Sequence, residues 1–455
     1  MRAMFGDSME RTETLRPIQR LTRPLLRFLH VESMSGVVLL VFTAAAIVAA
    51  NSPVAEVYMR FWNTYLTLGA GRFSLSYPLW YWVNDGLMTV FFFLVGLEIK
   101  RELVAGELRD FRRVIAPLAA AAGGAITPAL IFLLLQHGEA GQSGWAIPMA
   151  TDIAFVVGAL ALLGKRVPHG LKVFLLTLAI VDDIIAVLVI ALFYSSQIKL
   201  AWLAAAVAGT LAVVAMNRLG IRTVAGYLLA GAVIWLFTLK SGIHPTISGV
   251  VLGLLTPAMP LISRETLRST LDEAIVTIGA GTGANGSVRL RDVVEKVDFV
   301  SREAISPLER FETEIHPWTA FVIMPVFALA NAGVTFSFES VTSPIATAVA
   351  VALLVGKPLG IVLSLLIVVK SGVGIVPGGA SWKAIVGAGC LAGIGFTMSL
   401  FVASLSLEGD LLVEAKTGVL AGSALSSLIG LSVLSMSLRR MRSSENTQGN
   451  RANRS

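Results

Sequence analysis

Apolar runs of about 20 residues recur along the chain, and each is long enough to cross the ~30 Å hydrocarbon core of a bilayer as a helix. Hydrophobic residues make up 55% of the 455 residues and charged residues only 14%, whereas soluble domains carry about 25% charged residues. A single globular core stops growing beyond roughly 250–300 residues, so it cannot absorb this much apolar sequence. The sequence therefore predicts an all-α polytopic membrane protein.

About twelve transmembrane helices are predicted, several of them short or interrupted by proline and glycine. The predicted spans are 34–51, 80–104, 113–136, 144–164, 169–195, 199–216, 221–237, 242–257, 316–334, 342–369, 384–406 and 412–438. The net charge of +7 does not indicate a nucleic-acid partner, because the basic residues cluster at the ends of the apolar runs. The loops 137–143 and 335–341 carry no Lys or Arg, while the loops that alternate with them are basic. The positive-inside rule therefore predicts that both termini are cytoplasmic.

The segments outside the predicted spans divide the chain into parts. An extracytoplasmic loop is expected to form a β-hairpin, because apolar residues alternate around a Gly-rich turn within Leu66–Leu75. A long mixed-charge loop is expected to be flexible in large part, and it can contain an amphipathic piece. The predicted order is a basic cytoplasmic tail (1–33), spans one to eight (34–257, with the hairpin loop at 52–79), a cytoplasmic loop insertion (258–315), spans nine to twelve (316–438) and a cytoplasmic tail (439–455).

The first apolar run has a second interpretation as a cleavable signal peptide. Arg-rich residues 2–27 precede it, and Ala49-Ala50-Asn51 ends it like a cleavage site. We expect a retained first helix, because the basic region is long and many spans follow. The single cysteine, Cys390, lies in an apolar run, so an intrachain disulfide is excluded and no cysteine metal site is indicated.

Two adjacent acids, Asp182 and Asp183, lie in the middle of span five. At a helix centre the pair costs about 5–7 kcal/mol, and the Val, Ile, Leu and Phe residues of this span return roughly 4.5–9 kcal/mol. Neighbouring carboxylates in a dehydrated site resist full ionisation, and a hard cation such as Na⁺ binds their oxygens only after deprotonation. Na⁺ and H⁺ then compete for one site, which indicates antiport. The alternative is an acid pair held by salt bridges within the bundle.

Spans four and eleven contain helix-breaking residues. In span four, Pro148 removes a backbone donor, and Thr151 and Asp152 can partner the freed groups or a half-helix N-terminus. In span eleven, Gly393 and Gly395 belong to a glycine-dense stretch that fits an unwound helix. A proline kink with a capping Asp and tight glycine packing are the alternatives. Paired broken helices favour a transporter site.

Other ionisable residues fall within or near the spans. Lys357 lies inside span ten and requires a carboxylate partner, and the Asp152, Asp182 and Asp183 group is the nearest supply. Asp85 opens span two and Glu98 and Glu102 close it; taken singly, each fits a helix end or a solvated position. His244 begins span eight, where a lone histidine is usually structural.

Several motifs resemble the NhaA family of bacterial Na⁺/H⁺ antiporters, and they occur in the family's order from about residue 30 to 438. They are Phe91-Phe92-Phe93-Leu94-Val95-Gly96-Leu97-Glu98-Ile99-Lys100-Arg101-Glu102, Thr151-Asp152-Ile153-Ala154-Phe155, Ile180-Val181-Asp182-Asp183, His316-Pro317-Trp318, Phe327-Ala328-Leu329-Ala330-Asn331-Ala332-Gly333, Gly356-Lys357-Pro358-Leu359-Gly360 and Gly393-Ile394-Gly395-Phe396-Thr397-Met398-Ser399. The family is itself an example of inverted-topology repeats with broken helices, so the resemblance implies such repeats in spans three to five and ten to twelve.

The resemblance also implies residue roles. Asp182 and Asp183 would bind Na⁺ and carry protons, and Lys357 would pair with Asp182 or balance the crossed helix ends. Thr151 and Asp152 would lie at the break of span four, opposite the break of span eleven. The hairpin would contribute to a homodimer interface. The positions linked to pH activation at the cytoplasmic funnel would be Glu98, Glu102, His244 and Glu312. The loop before His316-Pro317-Trp318 is longer than expected for the family.

The resulting hypothesis is an electrogenic, pH-activated Na⁺(Li⁺)/H⁺ antiporter of the bacterial inner membrane, working by alternating access and serving pH homeostasis. It would be a secondary active transporter rather than an enzyme, with no cofactor. Its partners would be Na⁺, Li⁺, H⁺ and the lipid bilayer. The alternatives are a cation/proton antiporter of the same fold with another ion preference, a passive cation channel, and an intramembrane aspartyl protease. The protease requires opposed carboxylates, normally from two helices, whereas Asp182 and Asp183 are consecutive.

Overall fold

The computed structural model describes residues 32–70, 73–106, 111–195, 197–220, 224–279, 286–376 and 380–452. The first half of the chain contains α1 (Glu32–Ala50), α2 (Ala55–Trp62), β1 (Tyr65–Ala70), β2 (Phe73–Pro78), α3 (Leu79–Tyr81), a π-helical segment (Trp82–Leu87), α4 (Met88–Ala105), α5 (Phe111–Leu135), a 3-10 helix (Ala140–Met149), α6 (Ile153–Leu163), a 3-10 turn (Gly164–Arg166), α7 (His169–Phe193), α8 (Leu200–Arg218) and α9 (Val224–Ser241).

The second half is helical in all its regular elements within the described residues. It contains α10 (Thr246–Leu255), α11 (Arg264–Gly279), α12 (Gly286–Glu303), α13 (Pro307–Trp318), a π-helical segment (Thr319–Ile323), α14 (Met324–Asn331), α15 (Phe338–Thr342), α16 (Pro344–Val351), a second π-helical segment (Ala352–Gly356), α17 (Lys357–Lys370), α18 (Trp382–Ala392), α19 (Phe396–Ser406) and α20 (Gly409–Ala452). Each predicted span therefore falls on helix over most of its length.

Fewer helices than the twelve predicted spans are long and apolar enough to cross a membrane. In the part of the chain that the structure describes, six are long and apolar enough, and up to nine if each bent pair is one span. Helix α10 has ten residues, a rise of about 15 Å, which is too short for the ~30 Å hydrocarbon core. The all-α polytopic class is confirmed, while the count of twelve stays a prediction.

Two broken helices lie at the predicted positions. The 3-10 helix Ala140–Met149 and α6 meet at an angle of 44° in span four, and α18 and α19 meet at 44° in span eleven. Around these breaks, α5 packs on α7 and α17, and α18 packs on α17 and α20. The helices thus enclose both breaks in the buried core.

The β-hairpin is present. Strands β1 and β2 pair antiparallel, from Tyr65 opposite Pro78 to Ala70 opposite Phe73. The predicted flexible insertion instead contains two helices, α11 and α12, joined by an ion pair of 2.7 Å between Lys296 and Glu273. Part of its Gly-rich stretch, 280–285, lies outside the described residues, as do most of the N-terminal tail (1–31) and the last three residues of the chain.

Span nine begins earlier than predicted. Helix α13 starts at Pro307 rather than near residue 316, because the Ser306 hydroxyl accepts a hydrogen bond of 3.2 Å from the Glu309 N–H and Pro307 fits the first helical position. Leu308 and Phe311 are buried against the bundle. Glu312 is consequently a helical residue that faces the membrane domain, and the insertion ends before α13. At the other end of the chain, the predicted tail 439–455 begins as a continuation of α20.

Candidate ion-binding site at two broken helices

The two broken helices are joined through Asp152. Its backbone N–H donates a hydrogen bond of 2.7 Å to the Ile394 carbonyl in the break of span eleven. Its Oδ1 accepts from the Phe155 N–H at 3.2 Å, which caps α6. Its Oδ2 accepts from the Thr397 N–H at 3.0 Å and from the Thr397 hydroxyl, at the start of α19. One carboxylate therefore balances the positive ends of two helices.

A buried ion pair lies next to the crossing, the point at which the breaks of spans four and eleven meet. The Lys357 ammonium is 2.5 Å from Asp182 Oδ2 and 2.9 Å from the Thr151 hydroxyl oxygen. The Thr151 hydroxyl lies 2.5 Å from Asp182 Oδ2 and 2.9 Å from the Ala392 carbonyl, and its single hydrogen can be donated to one of them at a time. Lys357 is 0% exposed and Asp182 is 2% exposed. The carboxylate partner that Lys357 requires is thus Asp182.

Asp183 lies beside this pair, and its carboxylate forms no ion pair in the part of the chain that the structure describes. The side chain is 2% exposed, and among the described residues no donor reaches Asp183 Oδ1 or Asp182 Oδ1. Buried polar atoms are nearly always hydrogen-bonded, so two orphan carboxylate oxygens on consecutive residues require an explanation. Oxygen atoms of this kind are ligands for a hard monovalent cation. The pair can also take up protons.

Pro148 lies at the end of the 3-10 helix, just before the break of span four. The preceding carbonyl, that of Ile147, accepts a hydrogen bond of 2.7 Å from the Ser399 hydroxyl of α19. The Ser399 side chain of one broken helix thereby hydrogen-bonds a backbone carbonyl of the other. This matches the general requirement that backbone groups freed inside a membrane find partners within the protein.

Gly393 and Gly395 allow the break of span eleven to lie close to its neighbours. A Cβ atom at Gly393 would be 2.5 Å from the Leu353 carbonyl oxygen, and one at Gly395 would be 3.1 Å from the Ala150 carbonyl oxygen. Both neighbours are backbone atoms of other helices or breaks, so they cannot rotate away. Glycine is needed here for close approach.

Three of the predicted pH-related residues lie together at the end of span two. Glu98 is half-buried and within electrostatic range of Asp183, Glu102 and Glu312. Arg101 forms ion pairs with Glu312 and, at 3.9 Å, with Glu102. The contact between Arg101 and Glu312 joins α4 to α13. This acidic cluster is therefore linked to the candidate site through Glu98.

His244 is separated from that cluster. Its Nε2 is 3.6 Å from Asp85 Oδ1, its Nδ1 is 2.7 Å from the Thr246 hydroxyl, and its ring packs against Phe401. Asp85 and Glu98 are 13 residues apart on one helical segment, a rise of about 20 Å. His244 and the acidic cluster thus occupy opposite ends of span two.

Known sequences identify the family. The sequence profile of the family described as Na⁺/H⁺ antiporter 1 matches residues 26–434. The chain belongs to this family. It is similar to the NhaA antiporter of Rhodopirellula baltica, with 48% identity over 92% of this chain and 95% of the relative. It is also similar to the NhaA 2 antiporters of Pseudomonas putida (47%, over 91% and 93%) and Sorangium cellulosum (46%, over 93% and 92%). The resemblance seen in the motifs is confirmed, and the chain is a multi-pass membrane transporter.

Some polar residues of this antiporter-family chain were missed in the sequence analysis. The side chains of Asn84 and Asn331 hydrogen-bond each other at 2.7 Å, and the Lys416 ammonium is 3.4 Å from Asn331 Oδ1. Thr397 was recognised only as part of a motif, although its N–H and hydroxyl donate hydrogen bonds to Asp152. The available signal was the same as for Lys357, namely a polar or charged residue inside an apolar run.

The close approach at Gly393 makes a stability prediction. We expect Gly393→Ala to destabilise the protein by about 1–3 kcal/mol, the usual cost of overpacking, because the new Cβ would overlap the Leu353 carbonyl and lie 2.9 Å from Ser426 Oγ. Gly158→Ala is the matched control, since its Cβ would meet only the Gly36 Cα at 3.7 Å. The measurement is the thermal unfolding midpoint in detergent. Equal midpoints for the two variants would contradict the prediction.

Proposed function

We propose that this protein is an electrogenic antiporter that expels Na⁺ or Li⁺ in exchange for protons. The observation that supports this most directly is the buried Asp183 carboxylate, whose Oδ1 has no donor among the described residues, beside the Asp182–Lys357 ion pair at the crossing of two broken helices. Membership of a family of Na⁺/H⁺ antiporters supplies the substrate class.

Cation binding would use the orphan oxygens. Na⁺ requires oxygen ligands, and Asp182 Oδ1 and Asp183 Oδ1 are the two carboxylate oxygens that lack donors. A proton on Asp183 removes its negative charge and occupies one of its oxygens, so the proton and Na⁺ exclude each other there. This competition couples the two ions without requiring that both bind at once.

An exchange of one proton for one Na⁺ moves no net charge, so electrogenic exchange of more than one proton for each Na⁺ requires a second protonation position. Asp183 offers one protonation position. Asp182 offers a second, and the Lys357 ammonium at 2.5 Å balances its charge when it is deprotonated. Asp152 is held by four groups at two helix ends and would act as a fixed counter-charge.

Alternating access would move the crossing relative to the surrounding helices. Spans three to five and ten to twelve would be inverted-topology repeats around the site, in a bundle of about twelve spans with both termini in the cytoplasm of a bacterium and the chain in its inner membrane. The β-hairpin would contribute to a homodimer. Under this arrangement, Glu98 lies on the cytoplasmic route to Asp183.

Activation at high pH follows from the same competition. At low pH, protons fill the carboxyl groups that the cation needs, so transport begins only as the pH rises. The cluster of Glu98, Glu102, Glu312 and Arg101 would regulate access, since its ion pairs hold α4 to α13. His244 would act separately, at the Asp85 end of span two.

An antiporter of the same fold with another ion preference is the main alternative, because bare carboxylate oxygens discriminate weakly among monovalent cations. The protease alternative is less compatible with the geometry. Asp182 is engaged by Lys357, so the two acids do not share one water between opposed carboxylates. A passive cation channel would conduct without moving protons.

Ion selectivity and coupling can be tested in proteoliposomes with an acidic interior and a pH-sensitive dye. Na⁺, Li⁺ and K⁺ are added in turn, and we expect external Na⁺ and Li⁺ to dissipate the proton gradient and the response to increase from mildly acidic to mildly alkaline pH. Clamping the membrane potential should change the rate, because an electrogenic exchanger moves net charge. Protein-free liposomes are the control. A response to K⁺ alone would favour the alternative antiporter, and cation flux without proton movement would favour a channel.

A further inference from the structure

A polar recess lies at the end of α9, near the start of α8 and beside the β-hairpin. Its volume is about 590 Å³, and its lining includes Tyr77, Gln197, Lys199, Trp202 and Lys240. Two of the lining residues are lysines, and none is acidic. The recess therefore presents two positive charges, and no carboxylate belongs to its wall among the described residues.

Hydrogen bonds position the Lys199 backbone at the recess, and an aromatic ring contacts the Lys240 side chain. The Lys199 N–H donates a hydrogen bond of 2.8 Å to the Ser241 carbonyl, which ties the start of α8 to the end of α9. The Lys199 carbonyl accepts from the Trp202 N–H at 3.1 Å in the first turn of α8. The Trp202 ring in turn lies 5.3 Å from the Lys240 ammonium, a cation–π contact. The positive end of α8, a helix of 19 residues, adds to the charge of the recess.

The surroundings of the recess are those of a membrane boundary. Tyr77 stacks on Tyr81 and Trp82 stacks on Trp235, and such aromatic residues are enriched at the level of lipid headgroups. Helices α8 and α9 expose large apolar side chains beside it, including Leu200. A ligand with an anionic head and apolar tails would satisfy both parts of this surface.

We propose that the recess binds the phosphate headgroup of an anionic phospholipid from the leaflet on the hairpin side. Lys199 and Lys240 contact the phosphate, Gln197 donates to its oxygens or to the glycerol, and the acyl chains lie along α8 and α9. A soluble anion would use the lysines but not the apolar helix faces. The site is separate from the broken helices, and this proposal does not rest on the proposed transport function.

Native mass spectrometry of the delipidated, detergent-solubilised protein tests the proposal. Dioleoyl-phosphatidylglycerol is titrated against wild type and against Lys199→Gln/Lys240→Gln. Each basic residue near a membrane surface contributes about 1 kcal/mol to binding of anionic lipid, so we expect the double variant to bind about 30-fold more weakly. The matched control is Lys370→Gln/Lys383→Gln, which removes two exposed lysines elsewhere on the protein and should bind as wild type does.

Further measurements distinguish the effects of side-chain charge, of lipid headgroup and of misfolding. Lys199→Arg/Lys240→Arg should retain binding, because it keeps both charges. Dioleoyl-phosphatidylcholine should bind no better to wild type than to the Gln variant, and millimolar inorganic phosphate should not displace the lipid. If the double Gln variant fails to fold, the single Lys199→Gln change at an exposed side chain provides the same comparison. Equal phosphatidylglycerol affinity in wild type and Gln variants, or displacement by free phosphate, overturns the proposal.

Discussion

Asp183→Asn is expected to abolish Na⁺-dependent proton movement. The amide has nearly the same shape as the carboxylate but carries no charge and cannot exchange a proton, so both functions proposed for the side chain are lost together. Removing one partner of a desolvated charge contact costs about 3–5 kcal/mol, which corresponds to a loss of at least about 100-fold in apparent Na⁺ affinity. The measurement is dye-monitored proton efflux from proteoliposomes on addition of Na⁺, together with uptake of radioactive Na⁺.

Asp85→Asn is the matched control for this substitution. Asp85 is also a buried acid, but it lies beside His244 at the far end of span two and not at the crossing. We expect this variant to retain Na⁺-dependent proton movement. Asp183→Asn should also remain folded, since no described residue donates a hydrogen bond to its Oδ1, and a thermal unfolding midpoint checks this. Wild-type transport by a folded Asp183→Asn protein would contradict the proposed role.

The sequence predicted the members of this site because ionisable groups inside apolar spans are costly. The argument from insertion cost selected Asp182 and Asp183, and it required a carboxylate partner for Lys357. It did not select which carboxylate. Consecutive residues on a helix point about 100° apart, so only the tertiary placement of Lys357 beside α7 decides that Asp182 forms the ion pair and Asp183 does not.

The breaks themselves were predictable, but their chemistry was not. Proline and glycine patterns located the interruptions in spans four and eleven, which the structure confirms. The sequence offered a capping Asp or a site residue as separate interpretations of Asp152. In the structure Asp152 caps α6 and also holds Thr397 at the start of α19, because the two half-helices begin next to each other. That adjacency is a tertiary property without a local sequence signal.

The insertion at 258–315 shows where composition misleads. Mixed charge and glycine predicted much flexible chain, yet α11 and α12 form and pair through Lys296 and Glu273. The Ser306-Pro307 start signal of α13 was present in the sequence and was overlooked. Each of these charged helices buries few apolar residues, such as Ala274 in α11 and Val300 in α12, so hydropathy alone does not reveal them.

Breaking the Lys357–Asp182 pair is expected to have the second large effect. Lys357→Met keeps most of the side-chain volume but leaves Asp182 as a buried carboxylate without its counter-charge. We expect a destabilisation of about 3–5 kcal/mol, measured as a lower thermal unfolding midpoint in detergent. The destabilisation should diminish at low pH, because a protonated Asp182 carries no charge. Lys370→Met, at an exposed lysine of the same helix, should leave the midpoint unchanged.

The double variant Lys357→Met/Asp182→Asn separates a charge effect from a packing effect. Neutral side chains of similar volume often replace a buried ion pair without loss of stability, so we expect the double variant to be more stable than Lys357→Met alone. Its transport should still be impaired, because the second protonation position proposed for electrogenic exchange is gone. If the two substitutions instead destabilise additively, the pair contributes packing rather than charge compensation, and Lys357 cannot have the role proposed here.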